Sequence, residues 1–256
     1  MPSSLDPYLD GNSLLHCRDP RAKLLAMLVL LVSVVLVPVG NWIAFGLFGL
    51  LIVVLIALAR IPPGPLLRRL LIALPLVLPA VLFLPFLHGG TILWQIRIGG
   101  WHIALGDAGL VLPGSILIKA ALSVLALGVL VTTTRMADLL RGLDKLGAPR
   151  LLTALFGLMY RYLFIIEDEA RRLKAGRDVR YCGGLMVGIR SVGHMAGSLF
   201  LRSYDRAERV YEAMLLRGYD GTYRSLNPLS IGGADILMVV TTAVLVVSIS
   251  LAGRWL

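Results

Sequence analysis

The sequence predicts an all-α integral membrane protein of about five transmembrane helices, with a cytoplasmic domain of long amphipathic helices inserted before the last span. Three observations predict it. The 256 residues have a mean hydropathy of +0.83, with 57% hydrophobic and only 16% charged, too apolar and too charge-poor for a domain solvated by water. Five apolar stretches approach or exceed the length that crosses ~30 Å of hydrocarbon. Lys and Arg are also distributed unequally between the connections.

The first span, residues 24–39, is nearly pure Leu, Val and Ala and ends at Gly40 and Asn41, whose turn chemistry suits a tight link to the second, 42–59. The third, 70–87, carries Pro75, Pro79 and Pro85, which kink a helix and are tolerated where neighbours satisfy the freed carbonyls. The fourth is 109–134 and the fifth 236–251 with its flanks. The polar start lacks the short apolar core and cleavage site of a secretory signal, so the first span is expected to be uncleaved. Residues 88–108 form an outer loop in which two β-prone runs flank Gly99 and Gly100, predicting a hairpin with Trp94 and Trp101 as interfacial anchors.

Charge placement sets the orientation. Arg18, Arg21 and Lys23 precede the first span, Arg60, Arg68 and Arg69 fill the second connection, and sixteen Lys or Arg lie from Arg135 to Arg224. Only Arg97 and Arg254 fall on the opposite side, and Lys119 sits inside the fourth span. The N-terminus is therefore expected inside and the C-terminus outside. The domains follow as a cytoplasmic N-terminal segment 1–23, four spans in 24–134, a cytoplasmic helical domain 135–232 and a last span 233–256. Cys17 and Cys182 both fall on the inner side, where thiols stay reduced, so no disulfide is expected.

The basic segment has no proline between Pro149 and Pro228 and mixes apolar periodicity with dense charge, which reads as long amphipathic helices. Residues 151–166 are apolar with Arg161 in the middle, favouring a helix at the inner interface over a sixth span. Glu167 and Asp168 then stand one turn before Arg171 and Arg172. Residues 181–184 (Tyr-Cys-Gly-Gly) are expected to break this helix. A connecting helix, 185–200, and a second charged helix, 203–217, follow, with Gly218 as terminator. The two charged helices end in similar patterns, Lys174, Ala175, Gly176, Arg177 and Leu216, Arg217, Gly218. An Arg near a helix C-terminus complements the dipole, and an adjacent Gly permits a sharp exit or close approach of another surface. Plain capping and docking to a partner are both open on these residues alone.

Known catalytic signatures are absent. There is no GxxxxGK[ST] phosphate loop, HExxH, CxxC or GxSxG. His16, His88, His102 and His194 lack ligand spacing, and His16 beside Cys17 points two ways, so no metal site is expected. Lys119, the only full charge well inside a span, reads as snorkelling or bonded to a carbonyl. It is no relay of the kind that ion-coupled carriers need.

The run 202–221, RSYDRAERVYEAMLLRGYDG, resembles the signature of the CbiQ family, the transmembrane (T) component of cobalt and nickel energy-coupling-factor (ECF) transporters. Residues 12–23 and 161–180 are similar to the same family. The resemblance implies a non-enzymatic coupling subunit of a cobalt importer in the bacterial inner membrane, with nickel as the alternative ion. It implies ABC ATPase partners (CbiO-like) that bind ATP and Mg, a substrate-binding membrane subunit (CbiM-like) that carries the cobalt, and a small membrane subunit (CbiN-like). No cofactor is expected in this chain. The family's two coupling helices dock through Ala-Arg-Gly motifs. The second maps onto Leu216, Arg217 and Gly218, and the first falls among Ala175, Gly176, Arg177 and Arg180, with either arginine as its contact.

Two rival classes are weaker. A membrane-embedded enzyme would need convergent polar groups, and Asp138, Asp144 and Lys145, the best set available, read as charges on an amphipathic helix. A nucleic-acid binder is disfavoured because acidic residues interleave with the arginines and no aromatic platform forms. Lipid is the expected surrounding partner.

Overall fold

The computed structural model describes residues 8, 11, 13, 15–16, 18–87, 92–98, 101–180, 185–221 and 232–255, with side chains described except at 80, 83–87, 92–98, 101–110, 185 and 252–255. Apart from one hairpin and the connecting turns, these residues are helical. In order the elements are α1 (Pro20–Leu36), α2 (Trp42–Ala59), α3 (Pro63–Leu87), β1 (Ile92–Ile98), β2 (Trp101–Gly106), α4 (Asp107–Thr133), α5 (Met136–Lys145), α6 (Arg150–Arg180), α7 (Leu185–Leu216) and α8 (Gly233–Trp255). The chain divides into two compact units, one holding 7–142 and 229–256, the other 1–6 and 143–228.

Helices stand at all five predicted spans, with shifted ends. α1 stops at Leu36, three residues early, because Pro38 cannot continue a helix. It starts at Pro20, which needs no N–H partner in the first turn, with the Asp19 carboxylate accepting from the Arg21 N–H at 2.9 Å. α3 starts at Pro63, seven residues before the predicted start, so Arg68 and Arg69 belong to the helix and not to the connection. Among the described residues, α2, α4 and α8 are long and apolar enough to cross a membrane by length and composition. α1, at 17 residues, reaches about 26 Å at 1.5 Å per residue, the short end of the spanning range. The hairpin pairs antiparallel with Ile98 opposite Trp101 across Gly99 and Gly100, as predicted. The side chains of Trp94 and Trp101 lie outside those described.

In the first unit α1 packs against α4 and α8, α2 against α4 and α8, and α3 against α4. Leu30 and Val34 of α1, Phe45, Phe48 and Ile52 of α2, Leu122 and Ala126 of α4 and Val246 of α8 form one core. The opposite faces remain bare: only 28% of the spanning window of α2 and 22% of that of α8 is buried. Apolar surface left exposed on this scale belongs against lipid, which removes the hydrophobic drive between helices and leaves packing to hold them.

Several polar groups within the spans find acceptors nearby, as a bilayer favours. The hydroxyls of Thr132, Thr133, Thr241 and Thr242 donate to carbonyls one turn back. Lys119 donates to the Val35 carbonyl at 2.8 Å, one of the four orphan acceptors at the end of α1, so its role is the carbonyl pairing that the sequence suggested. Arg69 reaches the Gly128 carbonyl of α4 at 3.1 Å.

Lys23 departs from expectation. Counted above as an inner-side charge flanking the first span, it lies within α1 and is 4% exposed. Its ammonium donates to the carbonyls of His16 at 3.1 Å and Thr133 at 3.2 Å. Thr133 O is an unpaired end carbonyl of α4, where the helix dipole favours a cation. Positive-inside counting registers such a lysine without distinguishing a solvated charge from a buried one.

The α3–α4 contact depends on a missing side chain. A Cβ at Gly128 would stand 2.7 Å from Leu66 Cδ2, whereas one at Gly46 of α2 would meet nothing within 4 Å. Gly128→Ala is therefore expected to destabilise by about 1–3 kcal/mol through overpacking, and Gly46→Ala to be neutral or to gain up to ~1 kcal/mol of helix propensity. Thermal unfolding in detergent, with wild type alongside, reads both.

Candidate functional site

The second unit is built on α6 and α7, of 31 and 32 residues, about 46 and 48 Å long. α6 begins after Pro149, whose carbonyl accepts from Leu152 and Thr153. No proline or other stop signal interrupts it, so the apolar half and the charged half form a single rod. The Glu167–Arg171 pair predicted at one-turn spacing is present. α6 has no buried residue, and its Leu151, Leu152, Leu155, Phe156 and Met159 are all exposed. It is not among the helices that meet the length and apolarity of a span.

α7 corrects the expected pair of helices, 185–200 and 203–217. It runs unbroken from Leu185 to Leu216, because Leu201 and Arg202 are good helix formers and the Ser198 and Ser203 hydroxyls bond back to carbonyls within the helix. Residues 181–184, expected to break the chain between the rods, lie outside the described residues. Glu169 of α6 pairs with Arg202 of α7, tying the two rods together across 33 residues of sequence.

The two predicted motifs turn out to be structurally unlike. At the end of α7 Gly218 adopts φ +77°. Its N–H donates to Leu215 O at 2.9 Å while the Tyr219 N–H donates to Met214 O at 3.0 Å. This pair of bonds is the Schellman arrangement, and it requires a left-handed residue at position 218. The Arg217 side chain is exposed, with no ion-pair or hydrogen-bond partner among the described residues, and Leu216 before it is 90% exposed.

In α6, by contrast, Ala175, Gly176 and Arg177 lie inside the helix, which continues to Arg180. Gly176 therefore makes no sharp exit, correcting the sequence reading: a single glycine with good helix formers on both sides lowers helix propensity without ending the helix. The Arg177 guanidinium is held by Asp178, with Nε and Nη2 donating to Oδ1 at 3.0 and 2.7 Å. The residues at the end of α6 that match the end of α7 are Val179, 87% exposed, and Arg180, exposed and without a partner among the described residues. Each rod thus finishes with a bare apolar side chain followed by an arginine whose side chain has no partner among the described residues, a relation that becomes visible once the helix ends are known.

The polar set considered for an enzyme does not converge. Asp138 pairs with Arg141 one turn along α5, and Asp144 accepts from the Thr153 hydroxyl at 3.4 Å. Among the described residues no three His, Cys, Asp or Glu side chains stand together as a metal site.

The two glycines should respond oppositely. Gly218→Ala forces a Cβ into the left-handed region and is expected to cost about 1 kcal/mol. Gly176→Ala fills open space in a helix interior and should stabilise by up to ~1 kcal/mol. Chemical denaturation followed by helical circular dichroism distinguishes them.

Comparison with known proteins agrees with this architecture. The family CbiQ, described as cobalt transport protein, matches residues 11–229. An energy-coupling factor transporter transmembrane protein EcfT from Listeria innocua is 28% identical over 230 residues, covering 85% of this chain and 84% of its own length. Its namesake from Lactococcus lactis is 26% identical over 258 residues, 94% of each chain. The cobalt transport protein CbiQ of Rhodobacter capsulatus is 31% identical over 149 residues, 58% of this chain and 61% of that one. With helices built to span a bilayer and a family match over most of its length, this chain belongs to the CbiQ family of cobalt transport proteins, the transmembrane components of energy-coupling-factor transporters.

Proposed function

We propose that this chain is the coupling (T) subunit of a cobalt importer, with α6 and α7 as rods that carry motion from ATPase subunits to a separate substrate-binding membrane subunit. The observation that carries the reading is the matched pair of tips, Val179 with Arg180 and Leu216 with Arg217. All four side chains are exposed. An apolar residue that enters a pocket, followed by an arginine that forms bidentate bonds to a carboxylate, is a compact docking element. ATP and Mg belong to the CbiO-like partners and cobalt to the CbiM-like one, with a CbiN-like subunit beside it.

The geometry favours Arg180 over Arg177 as the contact on α6, since docking through Arg177 would first have to displace Asp178. The positive-inside count supports an inner-membrane placement with the N-terminus and residues 135–232 in the cytoplasm. In that placement ATP-driven closure of the ATPases moves the docked tips, and the rods respond because their contacts differ between open and closed states.

The test is co-purification and uptake. Arg217→Glu and Arg180→Glu are each expected to weaken ATPase binding by roughly ten- to a hundredfold, the range for losing a hydrogen-bonded charge contact, and to abolish cobalt uptake with membrane insertion intact. Arg177→Ala should retain both. Unchanged ATPase assembly and transport in the two charge reversals would refute the docking role.

A further inference from the structure

The segment that carries the rods lies between the end of α4 and the start of α8, and the short stretch 18–23 at the start of α1 holds both helix ends. On the departure side Lys23 Nζ donates to Thr133 O. On the return side the Asp19 N–H donates to Asp235 Oδ1 at 3.3 Å, and Arg18 Nη1 lies 3.9 Å from that oxygen. Asp235 Oδ2 in turn accepts from the Gly232 N–H at 3.0 Å, capping α8. Asp19 and Lys23 are one turn apart and so lie on one face of the helix, and Asp19, Lys23, Thr133 and Asp235 are all buried. Gly142 of α5 closes the group: a Cβ there would meet Leu24, the Arg21 nitrogen and Pro20 at 3.2 to 3.5 Å.

Among the described residues Asp19 Oδ2, Arg21 Nε and Thr134 Oγ1 are buried without a hydrogen-bond partner, and Arg21 Nε stands 4.0 Å from Asp19 Oδ1, beyond bonding distance. Unsatisfied buried groups destabilise, and a joint with only an architectural duty would do better with apolar contacts. Spare donors and acceptors beside a formed set give the joint a second arrangement to adopt.

We infer that Lys23 and Asp235 are positioning residues for transport. Through the start of α1 they clasp the end of α4 and the start of α8, the two helix ends that flank the segment carrying the rods, so that displacement of the rods shifts α1, α4 and α8 together and is not lost as fraying of α4 or α8. The inference rests on the coupling reading above. It concerns residues remote in sequence from the rod tips and requires no contact with cobalt or nucleotide.

The test uses the full transporter assembly, with its ATPases, in proteoliposomes. Lys23→Met keeps the bulk and removes the charge, Asp235→Asn keeps the shape and removes the charge and one acceptor, and Lys23→Arg restores a cation. Amide hydrogen exchange where α4 ends and α8 begins is expected to rise on the order of tenfold in the first two variants, the factor carried by one charge-assisted bond. ATP hydrolysed per cobalt ion imported should rise by a similar factor with the ATPases still bound, and Lys23→Arg should stay near wild type in both. Faster exchange with an unchanged ratio would reduce the clasp to architecture and overturn the inference, as would unchanged exchange. Failure of the wild-type chain to bind ATPases would show up before any variant is compared, and would sink the coupling reading itself.

Discussion

A lysine ammonium can be carried inside a helical bundle only where oxygen atoms already stand to receive it. At the end of α4 the chain supplies one by geometry: the last carbonyls of any helix lack intrahelical donors, and Thr133 O is among them. Lys23 satisfies that carbonyl while the carbonyl dipoles stabilise its charge, so each group removes the other's desolvation problem. The carboxylates of Asp19 and Asp235 sit at the N-termini of α1 and α8 by the same logic with the sign reversed. One end of the bundle is thus organised by helix termini and the charges that complement them, and the arrangement of α1, α4 and α8 follows from it. Lys119 on Val35 O repeats the device at the C-terminal end of α1.

The two units solve different physical problems. In the bundle, apolar faces pack inward around Phe48 and Leu30 and the remaining apolar surface meets lipid. In the unit of α6 and α7, by contrast, the rods form with almost no buried side chains, and helix propensity, pairs such as Glu167–Arg171 and the cross-tie of Glu169 to Arg202 hold them. Exposed Phe156, Phe200 and Leu201 on such rods indicate surfaces completed by other molecules. Membership of a transporter component family agrees with that incompleteness.

The rod ends show why a motif and its structural context must be judged together. Leu216, Arg217 and Gly218 form a terminating cap whose glycine is required by backbone geometry, so plain capping and docking are compatible roles: the cap stops the helix and thereby presents the arginine. Ala175, Gly176 and Arg177 look similar in sequence but lie inside a helix, with the arginine already engaged.

By itself the amino-acid sequence determined what is local or compositional. Span positions, the hairpin across Gly99 and Gly100, the amphipathic rods, the terminator at Gly218 and the family all follow from hydropathy, turn chemistry and residue order. Helix ends were legible to within a few residues except at α3, where Pro63 marks the start and the charges after it suggested a loop, and in α7, where an expected break near residues 201–202 is absent. Tertiary structure decided what depends on atoms distant in the chain: that Lys23 is buried against Thr133 and not solvated, that Asp235 belongs with Asp19, and that α4 needs Gly128 for α3 to approach. It also decided that the Arg177 side chain is held by Asp178 while that of Arg180 has no partner among the described residues, and that the helix runs on past Gly176 because propensity on either side outweighs a single glycine. Pairings across 110 or 216 residues leave no periodic trace in a single sequence, since the carbonyl that receives a lysine can belong to any residue type.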